Sequence, residues 1–162
     1  MISSDVHRFE QGAEAGRWML EFARRGRRSL DIFTHFLSAE LYGNDELVSA
    51  ISAFARASAV SKVRILVRDS KPLQGVNHGL VNLTRRLPSH ITIRTLSEDT
   101  APANIAYFCI DEADLVFFND ELSWQGFARE QARAEARHFL EGFNHMWLNQ
   151  SKADPNLRLL SI

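Results

Sequence analysis

The residues with the most chemical potential bracket an apolar run, Asn104-Ile105-Ala106-Tyr107-Phe108-Cys109-Ile110-Asp111. Asn104 can donate and accept hydrogen bonds, but it has no titratable nitrogen with which to attack or protonate. Ala106 brings no charge, and Asp111 can accept hydrogen bonds or orient a basic partner. His35, Asn77 and His78 each follow a segment that reads as a strand or its exit loop. In α/β sheets the carboxyl ends of parallel strands are where ligands sit. Asn104, Asp111, His78, Asn77 and His35 are therefore the candidate ligand-binding residues. As a catalytic alternative, His35, His78 and Asp111 would be the acid/base groups of an enzyme acting on a phosphate-containing substrate. The plainer assignments are a helix-capping segment for Asn77-His78, a strand-end polar residue for Asn104 and a turn aspartate for Asp111.

Two further constellations are readable. His138, Glu141 and His145 share one face of a helix at i, i+3 and i+7, a donor set that zinc or iron accepts. The spacing lacks the His-x-x-x-His pair that puts two ligands side by side, and a polar face opposite Phe139, Phe143 and Trp147 explains the same residues, so no metal is expected. Arg24, Arg25, Arg27 and Arg28 cluster at the end of a first helix, and Arg85, Arg86 and Arg94 form a second group. Together they could meet nucleic acid. Aromatic residues are not interleaved with them, so no stacking surface for single strands is indicated. Trp18, Trp124 and Trp147 fit core or interface positions.

The elements that must hold these residues follow from periodicity. Asp5 to Arg25 predicts an amphipathic helix, with Phe9, Ala13, Gly16, Leu20 and Ala23 on one face, Ser3, Ser4 or Asp5 at its start and Gly26 at its end. Ser29–Thr34 is a strand, His35–Gly43 a loop, and Asn44-Asp45-Glu46 caps a second helix with Leu47, Ala50, Ile51 and Phe54 inward. Val63–Arg68 completes a βαβ unit, with the parallel pair and right-handed crossover such a unit requires. Gly75–Leu87 predicts a third helix ended by Pro88, Ile91–Leu96 a strand, and 97–103 a polar loop. Asn104–Asp111 and the segment to Asp120 form a hairpin around an acidic turn, followed by a short strand at 122–127. Glu130–Gln150 is a helix carrying Ala132, Ala136, Phe139, Leu140, Phe143 and Trp147 on one side, and Leu157–Ile162 a terminal strand. The fold class is a single α/β domain over 1–162, with a mixed, mostly parallel sheet flanked by helices.

The order of elements from Arg28 to Asp120 resembles half of a phospholipase D-type domain. That family's signature is His-x-Lys-x4-Asp, and it falls here on Asn104, Ala106 and Asp111. The resemblance implies that two motif-bearing halves meet, in one chain or across a dimer. One histidine then attacks phosphorus, the other protonates the leaving oxygen, and the lysines hold the phosphate. With Asn104 and Ala106 in place of histidine and lysine, that chemistry is expected to be lost. The resemblance also points to small bacterial domains of this degenerate kind, some beside N-acetyltransferase domains. No Gly-rich turn follows a strand and opens a helix here, so no acetyl-coenzyme A site is expected.

The totals set the outer bounds. The chain has 162 residues, 45% of them hydrophobic and 24% charged, with a formal net charge of -1. That supports one sizeable core and argues against a protein that grips nucleic acid by bulk positive charge. The lone cysteine, Cys109, cannot form an intramolecular disulfide. No basic-then-apolar leader opens the chain, and no run of about 18 apolar residues exists, so a cytoplasmic protein that does not enter the membrane is expected. The expectation is a non-catalytic, homodimeric phospholipase D-like binding module without a cofactor, for a phosphate-containing ligand or a protein partner. A nucleic-acid accessory role is the other alternative.

Overall fold

The structure is a computed structural model and describes residues 5–98, 104–154 and 157. Its elements are β1 (His7–Phe9), α1 (Gly12–Arg25), β2 (Ser29–Thr34), α2 (Ala39–Tyr42), α3 (Asp45–Arg56), β3 (Lys62–Val67), α4 (Gly79–Arg86) and β4 (Ile91–Leu96). The second half carries β5 (Ala106–Ile110), β6 (Asp114–Asp120), β7 (Gln125–Arg129), α5 (Arg133–Asn149) and β8 (Ser151–Lys152). Short 3-10 turns occupy Lys71–Leu73 and Glu121–Ser123.

All eight strands form one sheet in the order β1-β7-β6-β5-β2-β3-β4-β8. The sheet is mixed, as expected, but not mostly parallel. Only β2 with β3 and β3 with β4 run parallel, whereas β1 with β7, β7 with β6, β6 with β5, β5 with β2 and β4 with β8 run antiparallel. The reason is connectivity: parallel neighbours need a crossover, supplied here by α3 and α4, whereas the chain from Ala106 to Arg129 folds as a hairpin meander.

Helices α1, α3 and α4 cover one face around Met19, Phe22, Ile32, Ile51, Phe54, Ile65 and Phe108. On the other face α5 packs Leu140 and Phe143 against Phe33, Leu66, Tyr107, Cys109 and Leu115. Strand β5 is buried along its whole length, which is why its sequence is an unbroken apolar run. The thiol of Cys109 is buried in that layer, and desolvation pushes its pKa up. No helix among the described residues is long and apolar enough to cross a membrane.

Several boundaries differ from the periodicity reading. The first helix does not begin at Asp5: His7–Phe9 pairs with β7, the helix starts at Gly12 and Gln11 precedes it. Phe9 and Ala13 suit a helical stripe, yet the free edge of β7 claims the segment. The proposed caps Ser3 and Ser4 lie outside the described residues. The 35–43 loop contains α2, and the third helix shortens to Gly79–Arg86 because His78 caps it there. The short strand at 122–127 moves to 125–129, behind the 3-10 turn. The terminal strand falls outside the described residues except for Leu157, and the loop from 99 to 103 does so too.

Candidate functional site

Strand β5 runs antiparallel to β2, with Leu30 opposite Ile110 and Phe33 opposite Tyr107. Asn104 therefore arrives at the carboxyl end of β2 and Asp111 at its amino end. The seven residue-to-residue steps from one to the other span roughly 23 Å of extended chain. The two polar residues at the motif positions, Asn104 and Asp111, do not share a site.

Asp111 sits in the hairpin turn with φ 55, and its carboxylate is committed to backbone. It accepts from the N–H of Arg27 (3.0 Å), Arg28 (2.7 Å) and Ser29 (3.1 Å), while its own N–H donates to the Ser29 carbonyl (2.8 Å). This ties the hairpin to the entry of β2 and engages both carboxylate oxygens. Replacing Asp111 by alanine removes the acceptor for the N–H groups of the exposed Arg27 and Arg28 and of the half-buried Ser29. The expected cost is about 2 kcal/mol, or about 6 °C of Tm, read by thermal denaturation, with Asp111→Asn keeping roughly half.

The other candidates gather at the carboxyl end of β2 and β3. His78 is buried; its Nδ1 accepts from the Leu80 N–H (3.1 Å), and its Nε2 meets the Leu37 carbonyl at 2.9 Å. That pairing sets Nε2 as the donor of the ring, and burial lowers its pKa, with the Leu37 carbonyl hydrogen bond acting in the opposite direction. His78 is a helix cap, and Asn77 beside it is exposed and accepts from Asn82 at 2.6 Å. His35 lies against Phe36, with ring centroids 4.1 Å apart, and its Nδ1 is buried without a partner among the described residues. Asn104 is half-buried, and its carbonyl accepts from the Glu121 N–H at 2.9 Å.

Glu121, which the sequence reading passed over, is the hub of this end. It is 7% exposed, and its carboxylate accepts from the Thr34 hydroxyl (2.7 Å) and the His35 N–H (2.8 Å). Desolvation raises its pKa, with the Thr34 and His35 hydrogen bonds and the charge of Arg68 acting in the opposite direction. The Thr34 oxygen in turn accepts from the Leu37 N–H at 3.3 Å, so hydrogen bonds run from the start of α4 through His78, Leu37 and Thr34 to Glu121. Tyr42 is fully buried beside this chain. Its hydroxyl has no partner of ordinary hydrogen-bond geometry, and burial and the Glu121 charge hold its pKa well up. Arg68 follows β3, is 6% exposed, and stands 5.7 Å from the Phe33 ring.

These missed residues had one readable signal. Thr34 ends β2 and Arg68 follows the end of β3, the positions where such sheets place polar side chains of consequence. Glu121 had none, because Asp120-Glu121-Leu122-Ser123 reads as a solvated acidic turn.

Chemically, the cluster supplies a protonatable carboxyl, a hydroxyl and the half-buried imidazole of His35. Ala106, at the motif's lysine position, is fully buried. A cavity of about 330 Å³ opens nearby between α1, α2, the start of α3 and Trp124, lined by Gly16, Arg17, Glu40, Asn44 and Leu47 among others. The remaining candidates are dispersed. His138 and His145 are exposed on α5, with His145 Nδ1 3.2 Å from Asn149. No group of three or more His, Cys, Asp or Glu that could hold a metal ion occurs among the described residues. Arg24 pairs with Glu46 and Arg25 with Glu130 on the surface, and Arg85 donates to the Leu157 carbonyl.

A family model described as "Domain of unknown function (DUF7931)" matches residues 11–160. No curated protein matches the sequence. Among solved structures, TrmBL2, an archaeal chromatin protein described as showing a novel mode of DNA binding, superposes with a TM-score of 0.66 at 12% identity. The match covers 94% of this chain and 56% of TrmBL2, so the chain spans about half that protein's length. NucT from Helicobacter pylori matches with a TM-score of 0.62 at 12% identity, over 94% of this chain and 99% of NucT. Phosphatidylserine synthase from Haemophilus influenzae Rd KW20 matches with a TM-score of 0.62 at 11% identity, over 99% of this chain and 42% of that chain. At such identities the likeness is one of fold, and the fold is phospholipase D-like.

Proposed function

We propose, from the premise that the chain belongs to the family described as "Domain of unknown function (DUF7931)", that it is a non-catalytic phospholipase D-like domain that binds a phosphate-containing ligand or a protein partner. The observation that carries this reading is the state of the motif. Asn104 and Ala106 stand at the histidine and lysine positions, Ala106 is fully buried, and Asp111 is spent on the backbone of residues 27–29. The buried carboxylate at the carboxyl end of β2 is engaged by Thr34 and His35. A phosphate-containing ligand suits neighbours whose names involve phospholipid and DNA, both of which carry phosphodiesters. A homodimer belongs to the same reading, since phospholipase D-like halves meet in pairs.

The test is turnover of the chromogenic diester bis(p-nitrophenyl) phosphate by the full chain, with the solution mass measured on the same preparation. The expected result is hydrolysis at the buffer rate and a mass twice that of the chain. Turnover above background that disappears on Asn104→Ala, and again on His35→Ala, would replace this reading with a re-equipped enzyme.

A further inference from the structure

The α5 face of the sheet has one corner that α5 does not cover. Residues 62 and 64 of β3 and 92 and 94 of β4 point to this face by the two-residue alternation of a strand. The register sets Arg64 beside Thr92 on one side and Asp31 of β2 on the other. Farther along, the same face carries Phe33, Leu66 and Leu96 under α5. Where the helix ends, the apolar row stops and a groove of about 270 Å³ begins, lined by Lys62, Arg64, His90, Thr92, Arg94 and Trp147 together with Val63.

Solvation alone accounts for polar side chains on an uncovered sheet face, but it does not account for their sign. In a chain of net charge -1, no acidic side chain lines this groove, whereas three permanent cations do. A single sign in a concavity concentrates anions and costs self-repulsion when none is bound. The one acid in contact is Asp31, which is 3% exposed and accepts from Arg64 Nε at 2.7 Å. Burial raises the Asp31 pKa, while the Arg64 hydrogen bond and charge oppose the shift.

The guanidinium groups are also held in place before any ligand arrives. Arg64 lies 4.7 Å from the Phe143 ring and 5.6 Å from that of Trp147. Arg94 donates from Nε to Ser151 Oγ (2.7 Å) and from Nη2 to the Ser151 carbonyl (2.8 Å), and stands 5.7 Å from Trp147. Arg64 is thereby held through Nε and Arg94 through Nε and Nη2, and among the described residues Arg64 Nη1, Arg64 Nη2 and Arg94 Nη1 make no hydrogen bond. Donors fixed beforehand lose little entropy on binding, and guanidinium forks match phosphoryl oxygens.

We infer that this groove is a binding site for a phosphoryl group, contacted by Lys62, Arg64 and Arg94. It opens on the α5 face beside residues 62–64 of β3 and 92–94 of β4 and shares no lining residue with the Glu121 and Asn104 cluster, so it is independent of the non-catalytic reading and would survive its failure. The phosphoryl group comes either from a small phosphorylated compound or from a nucleic-acid backbone, and the experiment separates the two.

Calorimetric titration of the full chain at low salt uses inorganic pyrophosphate and, separately, an eight-nucleotide single-stranded DNA. Saturable pyrophosphate binding is expected, weakened about a hundredfold or more by Lys62→Gln with Arg94→Gln, since each lost charge-assisted hydrogen bond is worth about one decade or more. Arg24→Gln with Arg86→Gln removes the same charge elsewhere and should change affinity less than about twofold. Should Arg94→Gln loosen β8, Lys62→Gln alone, on an exposed side chain, still reports. DNA binding lost in the same groove variants, with a logarithmic salt slope of a few units, assigns the phosphoryl group to a backbone. Pyrophosphate binding without DNA binding assigns it to a small compound. No saturable binding of either probe, or an equal loss in the control variant, overturns the site.

Discussion

Gly126→Ala is expected to abolish the native fold or cost at least about 3 kcal/mol, the upper range of overpacking penalties. A Cβ built at Gly126 would lie 1.9 Å from the Phe117 carbonyl oxygen and 2.9 Å from the Phe118 Cα, both backbone atoms that no rotamer change can move. Strand β7 is held on both sides, by β6 and β1, with Gly126 facing Phe118 and Phe9. The β6–β7 register slips between Phe118 and Asp120, and this irregularity brings the two backbones together at Gly126. The same irregularity leads into the 3-10 turn that carries Glu121 under Thr34. Relief of the clash must therefore open the β6–β7 ladder or displace the buried carboxylate. The measurement is denaturant unfolding of the soluble variant, or its recovery in the soluble fraction. A loss below about 1 kcal/mol would mean that β6 and β7 are not this close.

The readable parts of the chain were those whose signal is local. Ser29–Thr34 and Val63–Arg68 read as strands rich in branched and aromatic residues that flank an amphipathic helix with an Asn44 cap, and the sheet builds from them the parallel pair that such a unit demands. The Asp111 turn was legible as a turn, and the carboxylate behaves as one expects of an aspartate beside free N–H groups. What the sequence does not carry is which strand meets which. Ala106–Ile110 says that it is buried on both faces. It does not say that it lies antiparallel to β2, and that orientation is what sends Asn104, rather than Asp111, to the carboxyl end of β2. His7–Phe9 has alternation short enough to pass as the start of a helix, and only the free edge of β7 decides otherwise. Likewise, Glu121 reads as one more charge in a polar turn until a strand from 87 residues earlier delivers the Thr34 hydroxyl to it. Functional side chains here are products of non-local pairing, which is why residue type and spacing found the neighbourhood and missed its centre.

Glu121 gives the second large effect, and its two substitutions separate packing from charge. Alanine removes the acceptor for the Thr34 hydroxyl and the His35 N–H, and leaves both buried groups and a cavity behind. The expected loss is about 3 kcal/mol, or about 9 °C of Tm in a chain of this size. Glutamine keeps the shape and one oxygen acceptor, and changes the pH behaviour. Burial raises the Glu121 pKa above its unfolded value. Between those two values the folded chain holds more protons than the unfolded one, so stability falls as pH rises through the window. The penalty is absent below the unfolded carboxyl value near pH 4.3 and complete above the folded one. The difference in unfolding free energy between Glu121→Gln and the parent should thus shift in favour of the variant as pH is raised from about 4 to neutrality. Asp31, also raised by burial, is common to both chains and cancels in that difference. The opposite slope would show that Arg68 and the two donors hold Glu121 charged more strongly than burial opposes it. An anionic hub of that strength at the carboxyl end of β2 would repel phosphate, and any phosphate-containing ligand would then have to bind at the Lys62–Arg94 groove or elsewhere on the molecule.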